Sequence, residues 1–198
     1  MSAIAPTLTL DKELHIYRYG DQLVPSVTEI LKGAGLVDDR WFTEQGRWRG
    51  SVVHLACWYD DQGDLDEQSI NEEVMAHVRA WRKFRAETGF TPTSIEEPIF
   101  NELMSYAGTP DRVGGLGDGR PCVADLKSGA SSKTTRYQTV AYAACLPSPR
   151  KYTRMEVRTM ANGNYSLKVF PPSDYQKDIA TWASIVDMYH LRRELGIL

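Results

Sequence analysis

The sequence predicts a mixed α/β fold in which a central mixed sheet is flanked by helices. Helical patterns fill most of the first ninety residues. Short strand-like runs separated by glycines follow, and then a helix, a hairpin and a last helix. This order of elements is typical of a sheet covered by helices. With 198 residues and 42% hydrophobic content, the chain is long and apolar enough for one domain with a sizeable core.

The N-terminal part is predicted to contain a hairpin and three helices. Residues 14–25 form two short strands around Gly20-Asp21. Ser26 with Glu29 three positions later is a capping box, which predicts that a helix begins there. The next two helices are expected from about Glu44 to Tyr59 and from about Ser69 to Glu87, the latter with apolar residues at helical spacing.

The C-terminal part is predicted to alternate between strands and helices. Residues 94–115 and 120–129 are strand-like runs, and a helix should follow from about Thr134 to Leu146. Residues 153–170 alternate around Asn162-Gly163, which predicts a hairpin. The last helix should run from about Ser173 to Leu195.

Composition excludes several classes of protein. A net charge of −3 argues against a positively charged coat for nonspecific nucleic-acid binding, although a local basic groove remains open. The three cysteines, Cys57, Cys122 and Cys145, form no CxxC pair, so they predict reduced thiols and no cysteine-based metal cluster. No apolar run approaches the ~20 residues of a membrane helix, and the N-terminus lacks a secretory pattern, so we expect a cytoplasmic protein.

Two aspartates and a lysine stand out in the strand-rich part. Because strand side chains alternate, Asp125 and Lys127 share one face of a predicted strand. If the glycine-rich segment between Asp111 and Asp125 folds as a hairpin, Asp111 returns to lie beside Asp125. Two close carboxylates repel unless a cation lies between them, and Mg²⁺ prefers such oxygen ligands. Taken alone, however, Asp-x-Lys is a common triplet and is better explained as a surface ion pair beside a glycine-rich turn.

Four sequence stretches together resemble the PD-(D/E)XK nuclease superfamily, in its RecB-like and phage-exonuclease branch. Pro110-Asp111 and Asp125-Leu126-Lys127 match the two halves of its central motif. RGSVVH, residues 49–54, is similar to the branch's Arg-Gly-x-x-x-His helix, and YQTVAYA, residues 137–143, to its Gln-x-x-x-Tyr helix. VPSVTEIL, residues 24–31, resembles an N-terminal element of phage members.

The resemblance implies roles for individual residues. Asp111 and Asp125 would bind Mg²⁺ or Mn²⁺, with His54 and Glu97 as further ligands. Lys127 would position water or stabilise the transition state, while Gln138 and Tyr142 would steady the site. For His54, a metal ligand and a core histidine remain equally open. No iron–sulfur cluster is expected, because the four cysteines that some relatives use for one are missing.

Candidate DNA contacts come from clusters of basic residues. The basic side chains are Arg47, Arg49, Lys133 and Arg136, and Trp48 between two arginines is a candidate for base stacking.

The implied fold is a restriction-endonuclease-like core within a single domain over residues 1–198. N-terminal strands and helices would occupy about 1–90, the catalytic core about 91–172 and the C-terminal helix about 173–195. The implied function is a metal-dependent exodeoxyribonuclease acting on DNA in recombination or repair. A single-strand annealing protein and further copies of the chain are compatible partners; a membrane is not expected.

Three alternatives remain open on the sequence. The chain could be a structure-specific or restriction-like endonuclease, or a catalytically inactive DNA-binding protein of the same fold. It could also be a β-rich protein that binds a carbohydrate or metabolite and carries an incidental Asp-x-Lys. The last leaves the order of the two helical motifs unexplained.

Overall fold

The computed structural model describes residues 6–37 and 43–198. The strands over these residues are β1 (Leu8–Asp11), β2 (Ile16–Tyr19), β3 (Gln22–Val24), β4 (Thr91–Ile95), β5 (Ile99–Asn101), β6 (Tyr106–Gly108), β7 (Arg112–Gly115), β8 (Pro121–Lys127), β9 (Thr153–Thr159) and β10 (Tyr165–Phe170). The α-helices are α1 (Val27–Gly33), α2 (Glu44–Gln62), α3 (Glu72–Thr88), α4 (Thr135–Ala144) and α5 (Tyr175–Glu194).

The central sheet has the strand order β10-β9-β8-β7-β4. Strands β8 and β9 are parallel and joined through α4, whereas the other neighbouring strands are antiparallel. A parallel pair needs such a crossover, and the mixture of directions makes the sheet mixed. The predicted fold class is therefore confirmed: a mixed α/β fold in which a central mixed sheet is flanked by helices.

Strand β8 separates two hydrophobic cores because its side chains alternate between the faces of the sheet. Val123 packs in a core with residues of α1, α4 and α5, including Trp182. Ala124 and Leu126 pack on the other face with residues of α2 and α3, including Trp81. Asp125 and Lys127 share the face of Val123, and β8 is buried along nearly its whole length.

The N-terminal elements pack beside the strand that leads to Asp111. Ser26 caps α1 with the predicted capping box to Glu29. Strands β1, β2 and β3 form their own antiparallel sheet. The backbone N–H of Ala107 in β6 donates to the carbonyl of Pro25 at 3.0 Å, which attaches this region to the β5–β6 pair.

Most predicted helix ends agree with the structure to within about three residues. The clearest shift is in α3, which begins at Glu72 because the Asn71 side chain caps it, accepting from the backbone N–H of Val74 at 2.9 Å. Residues 67–69 form a separate 3₁₀ turn. The hairpin at Asn162-Gly163 is confirmed as the β9–β10 connection. Among the described residues, every helix is too short or too polar to cross a bilayer.

Candidate active site

The β7–β8 hairpin brings the two predicted aspartates together. Arg112 pairs with Ala124 across these antiparallel strands, so Asp111 lies at the level of the Asp125 region. The Oδ2 atom of Asp111 accepts a hydrogen bond from the backbone N–H of Leu126 at 2.7 Å. The long glycine-rich turn therefore returns the chain as the sequence predicts, and one carboxylate is fixed to the strand that carries the other.

Asp125 is a buried carboxylate without hydrogen bonds. Its side chain is 1% exposed, and no donor approaches either oxygen with hydrogen-bond geometry. The Nζ atom of Lys127 lies 2.8 Å from Oδ2 as an ion pair. The pKa of Asp125 is raised to about 6, mainly by burial and to a smaller extent by the neighbouring Asp111 charge. The charge of Lys127 acts in the opposite direction and lowers it. Such a group is expensive to bury unless a bound cation compensates it.

Lys127 is held in its charged form by its neighbours. Burial alone would lower its pKa, but the charges of Asp125 and Asp111 outweigh that effect and the pKa is raised overall. Its side chain is still 26% exposed, so it can reach a ligand. An ammonium cannot accept a proton at neutral pH, so this arrangement suits electrostatic stabilisation of an anion rather than general-base catalysis.

His54 projects from the middle of α2 toward the same place. Its Nε2 lies 2.9 Å from the carbonyl oxygen of Leu126, and because a carbonyl can only accept, Nε2 carries the proton. When the ring carries one proton, Nδ1 therefore has the lone pair, and it faces Asp111 with 3.6 Å to Oδ1. Metal-binding histidines commonly donate the other ring N–H to a backbone carbonyl, and His54 has this arrangement.

A cleft of about 890 Å³ opens beside these residues. The cleft is lined by residues of β2, α1, α2 and α4 and by the segment that connects β6 to β7. The lining side chains with polar chemistry are His15, Tyr17, Ser26, Thr28, Glu29, Lys32, Ser51, His54, Glu96, Thr109, Asp111, Gln138 and Tyr142. Asp125 and Lys127 are not among the lining residues, since Asp125 lies in the buried interior of the sheet.

Gln138 and Tyr142 lie on one face of α4 and meet at the cleft. Nε2 of Gln138 donates to the Tyr142 hydroxyl at 3.1 Å. The tyrosine ring packs so closely on β6 that a Cβ at Gly108 would lie 2.6 Å from its Cε1, so this glycine is needed for the ring to sit there. Nearby, the Tyr17 hydroxyl shares a 2.8 Å hydrogen bond with Thr109, two residues before Asp111. The role of Tyr17 was not predicted from the sequence.

Of the two adjacent glutamates that follow β4, the structure brings Glu96 to the cleft. Glu97, the residue predicted from the resemblance, instead accepts a hydrogen bond from the Ser94 hydroxyl at 2.9 Å. Glu96 follows the last residue of β4 and has a φ of 51°, so the alternation of the strand no longer sets the direction of its side chain.

The residues predicted to contact DNA lie in different environments. Trp48 is 61% exposed at the start of α2, and Arg47 beside it is also exposed. Arg49 pairs with Glu73 at 3.6 Å, and Lys133 is exposed in the loop before α4. Arg136 differs, because its guanidinium is engaged by Asp174 and, at 2.6 Å, by Asp178. The guanidinium of Arg136 is therefore occupied by ion pairs within the protein.

Glu156 is a buried acid that the sequence did not single out. It pairs in parallel register with Asp125 on the neighbouring strand β9 and is 1% exposed. Its carboxylate accepts from the Ser131 hydroxyl and, at 3.3 Å, from the backbone N–H of Ser132. Glu156 thus fixes the loop that connects Lys127 to α4.

The donor set fits a hard divalent cation. Within residues 6–37 and 43–198, no three histidine, cysteine or acidic side chains are already gathered as a metal-binding group. The Asp125 carboxylate, whose Oδ2 is paired with Lys127, the Oδ1 of Asp111 and the Nδ1 of His54 are nevertheless the candidate donors in this region. Mg²⁺ takes one or two carboxylates and keeps several waters, which matches a set rich in oxygen and short of a complete cage.

Comparison with known proteins gives only a weak similarity. No family model and no curated protein sequence matches the chain. Two solved structures of the alkaline exonuclease LHK-Exo, one from Laribacter hongkongensis by its description and one in complex with dAMP, are similar at 13% identity. The dAMP complex has a TM-score of 0.33 and the alignment covers 87% of this chain and 93% of that chain; the other has 0.31, 83% and 92%. Similarity at this level carries no argument about activity.

Proposed function

We propose that this protein is a metal-dependent deoxyribonuclease of the PD-(D/E)XK type that hydrolyses phosphodiester bonds. The observation that carries the proposal is the buried Asp125 carboxylate, which has no hydrogen bond and lies beside Asp111, Lys127 and His54. A strongly perturbed carboxylate with a specific charged partner beside a cleft is typical of a functional site.

Asp111, Asp125 and the Nδ1 of His54 would hold Mg²⁺ or Mn²⁺. When bound there, the cation would supply electrophilic chemistry, shielding the charge of the scissile phosphate and making water a better nucleophile. Because Asp125 is ionised only above a pKa of about 6 in the cation-free protein, occupancy should favour neutral or alkaline pH.

Three further side chains, those of Lys127, Gln138 and Tyr142, would assist the hydrolysis. In the hydrolysis, the water oxygen forms a bond to phosphorus and gives up a proton to solvent. The bond from phosphorus to the leaving sugar oxygen breaks, and that oxygen takes up a proton from solvent. The Lys127 ammonium stabilises the negative charge that accumulates on the phosphoryl oxygens. Gln138 and Tyr142, joined by their hydrogen bond at the cleft wall, orient the backbone of the substrate.

The substrate would enter along the first turns of α2. Gly50, Ser51 and His54 of this helix line the cleft, and Arg47, Trp48 and Arg49 precede them directly. Cationic side chains contact phosphates, while an exposed tryptophan can stack on an unpaired base. Lys133 would add a phosphate contact from the loop before α4.

An exonuclease in recombination or repair is the preferred form of this activity, with a single-strand annealing protein as a compatible partner. This preference rests on the resemblance of RGSVVH and YQTVAYA to the phage-exonuclease branch. An endonuclease would use the same residues. The two activities are therefore distinguished by whether cleavage requires a free DNA end.

The deciding experiment is digestion of end-labelled linear duplex and closed circular DNA with Mg²⁺, with Mn²⁺ or with EDTA. We expect linear DNA to be degraded with either cation, closed circles to be spared and all cleavage to stop in EDTA. Rapid linearisation of circles would favour the endonuclease. Undiminished cleavage in excess chelator would contradict the proposed function itself.

A further inference from the structure

Helix α2 and the start of strand β7 are joined at two places. His54 faces Asp111, with 3.6 Å between Nδ1 and Oδ1. Asp61 pairs with Arg112, with 2.5 Å between Oδ2 and Nε. His54 and Asp61 are seven positions apart, which is two helical turns and therefore the same face of α2. Asp111 and Arg112 are consecutive, so each element contributes one residue to the candidate site and one to the ion pair behind it.

The ion pair is buried and built from several directions. The Arg112 and Asp61 side chains are both 0% exposed. Asp61 Oδ1 also accepts from Trp81 Nε1 at 2.9 Å and from Arg85 at 2.8 Å, both on α3. The position of Arg112 is therefore set by a carboxylate that is itself held to two helices.

Arg112 in turn clamps the backbone of Asp111. Its Nη1 donates to the Asp111 carbonyl at 2.7 Å, and the backbone N–H of Glu96 donates to the same carbonyl at 3.2 Å. On the side chain of Asp111, Oδ2 is held by the N–H of Leu126. With these groups fixed, Oδ1 is the oxygen left to face His54.

Stability alone is a poor reason for this ion pair. Removing two charges from water costs several kcal/mol per ion, and buried ion pairs can often be replaced by apolar residues at about equal stability. Arginine can instead fix the relative positions of two groups, because its planar guanidinium has fixed donor directions and can bind a carboxylate and a backbone carbonyl together. Outer groups that orient ligands commonly set metal affinity in this way.

We infer that Asp61 and Arg112 are positioning residues that hold His54 and Asp111 at the spacing needed to bind one divalent cation. Neither residue touches the substrate. The inference rests on the proposed function, since it concerns the same site, and it extends the site to a pair of residues that the sequence motifs do not include.

The test is Mn²⁺ titration by calorimetry, without DNA, on wild type, Asp61→Asn and Asp60→Asn. Asp60 is the matched control because it is the adjacent residue on α2 and its side chain is only 7% exposed. Its ion pairs are with Arg82 at 2.6 Å and Arg85 at 3.6 Å, both on α3, whereas Asp61 pairs with Arg112 of β7. We expect Asp61→Asn to weaken Mn²⁺ binding by about 10- to 100-fold. Asp60→Asn should bind as wild type does, although both variants lower the melting temperature in EDTA.

The outcomes separate this inference from the function on which it rests. Wild-type Mn²⁺ binding in a folded Asp61→Asn protein overturns the positioning role and leaves the nuclease proposal standing, as does equal weakening in Asp60→Asn. Absence of Mn²⁺ binding in wild type overturns both.

If Asp61→Asn does not fold, the double variant Asp61→Asn with Arg112→Gln replaces it, because it leaves no uncompensated buried charge. Weakened Mn²⁺ binding by the folded double variant supports the inference, and wild-type affinity overturns it.

Discussion

Asp125 and Asp178 are equally buried carboxylates with opposite surroundings. Each is 1% exposed. Both oxygens of Asp178 are bonded, Oδ1 to Arg136 Nε at 2.6 Å and Oδ2 to Arg154 Nη2 at 2.6 Å. Asp125 has no hydrogen bond to either oxygen and one ion-pair neighbour, Lys127. Burial is the same at the two positions, and the compensation of the charge is what differs.

This difference separates a structural carboxylate from a candidate ligand. A buried charge costs several kcal/mol unless its bonds are satisfied, so the folded protein offsets that cost at Asp178 with two arginines. At Asp125 the cost of burying the charge is offset only in part by Lys127, so the pKa of its carboxyl is raised. A group left in this condition beside a cleft is suited to a ligand that brings its own positive charge.

The largest expected effect comes from exchanging each carboxylate for an amide. Asp125→Asn should lower DNA cleavage by at least about 10³-fold while the protein stays folded, because it removes a predicted cation ligand and a buried charge. Asp178→Asn should instead destabilise the protein by about 3–5 kcal/mol, because the buried Arg154 loses its carboxylate partner and the partly exposed Arg136 loses one of two. Cleavage rates per folded molecule and urea unfolding measure the two effects. Unfolding of Asp125→Asn would make that aspartate structural too.

The next effect concerns Lys127, which pairs with Asp125. Lys127→Ala should reduce the rate of cleavage by about 10²–10³-fold, the usual cost of removing a group that stabilises transition-state charge. The Michaelis constant for DNA should change less than the rate. Lys83→Ala is the control, since that lysine is half-exposed on α3 and pairs with Glu87 of the same helix. Equal losses in both variants would point to general electrostatics rather than to a role at the scissile phosphate.

The pH dependence of stability sharpens the contrast further. The pKa of Asp125 is raised in the folded state, to about 6 from an ordinary 3.8, so folding favours the protonated carboxyl. Its contribution is greatest below about pH 4 and is lost as pH rises through 6, with a total change of at most about 3 kcal/mol. Urea unfolding in EDTA at pH 5 and pH 8 should reveal it. The wild-type loss should exceed that of Asp125→Asn; equal losses would assign the change to other groups.

The smallest effect is expected at His54, which supplements the carboxylates. His54→Ala should weaken Mn²⁺ binding by about 10- to 100-fold, since the ring is oriented by its bond to the Leu126 carbonyl. Loss of that hydrogen bond should lower the free energy of unfolding by only about 1 kcal/mol. Calorimetric titration and melts in EDTA distinguish the two changes. A folded variant with unchanged Mn²⁺ affinity would remove His54 from the ligand set.

The sequence predicts the parts of the site that depend on local pattern. Strand alternation places Asp125 and Lys127 together, the glycine-rich turn returns Asp111 to them, and helical spacing joins Gln138 to Tyr142. These contacts follow from periods of two and about four residues and from one hairpin, all of which are visible in a single chain.

Contacts between elements distant in sequence were not predictable in the same way. The basic cluster around α4 suggests a DNA contact at Arg136, but α5 packs against α4 and supplies Asp178 as its partner. Arg112 likewise reads as an ordinary charge until α2 brings Asp61 to it. Which charges are neutralised depends on how helices pack, and neither period nor propensity specifies that.

The wide separation of the candidate ligands along the chain has a thermodynamic consequence. His54 lies on α2 and Asp125 on β8, so an unfolded chain presents no assembled donor set. A divalent cation that binds this set therefore binds the native state alone, and by mass action it acts as a stabiliser. At a concentration 100 times the dissociation constant, it would add about 2.7 kcal/mol to the free energy of unfolding. Chelation would then weaken the whole molecule as well as stop its chemistry.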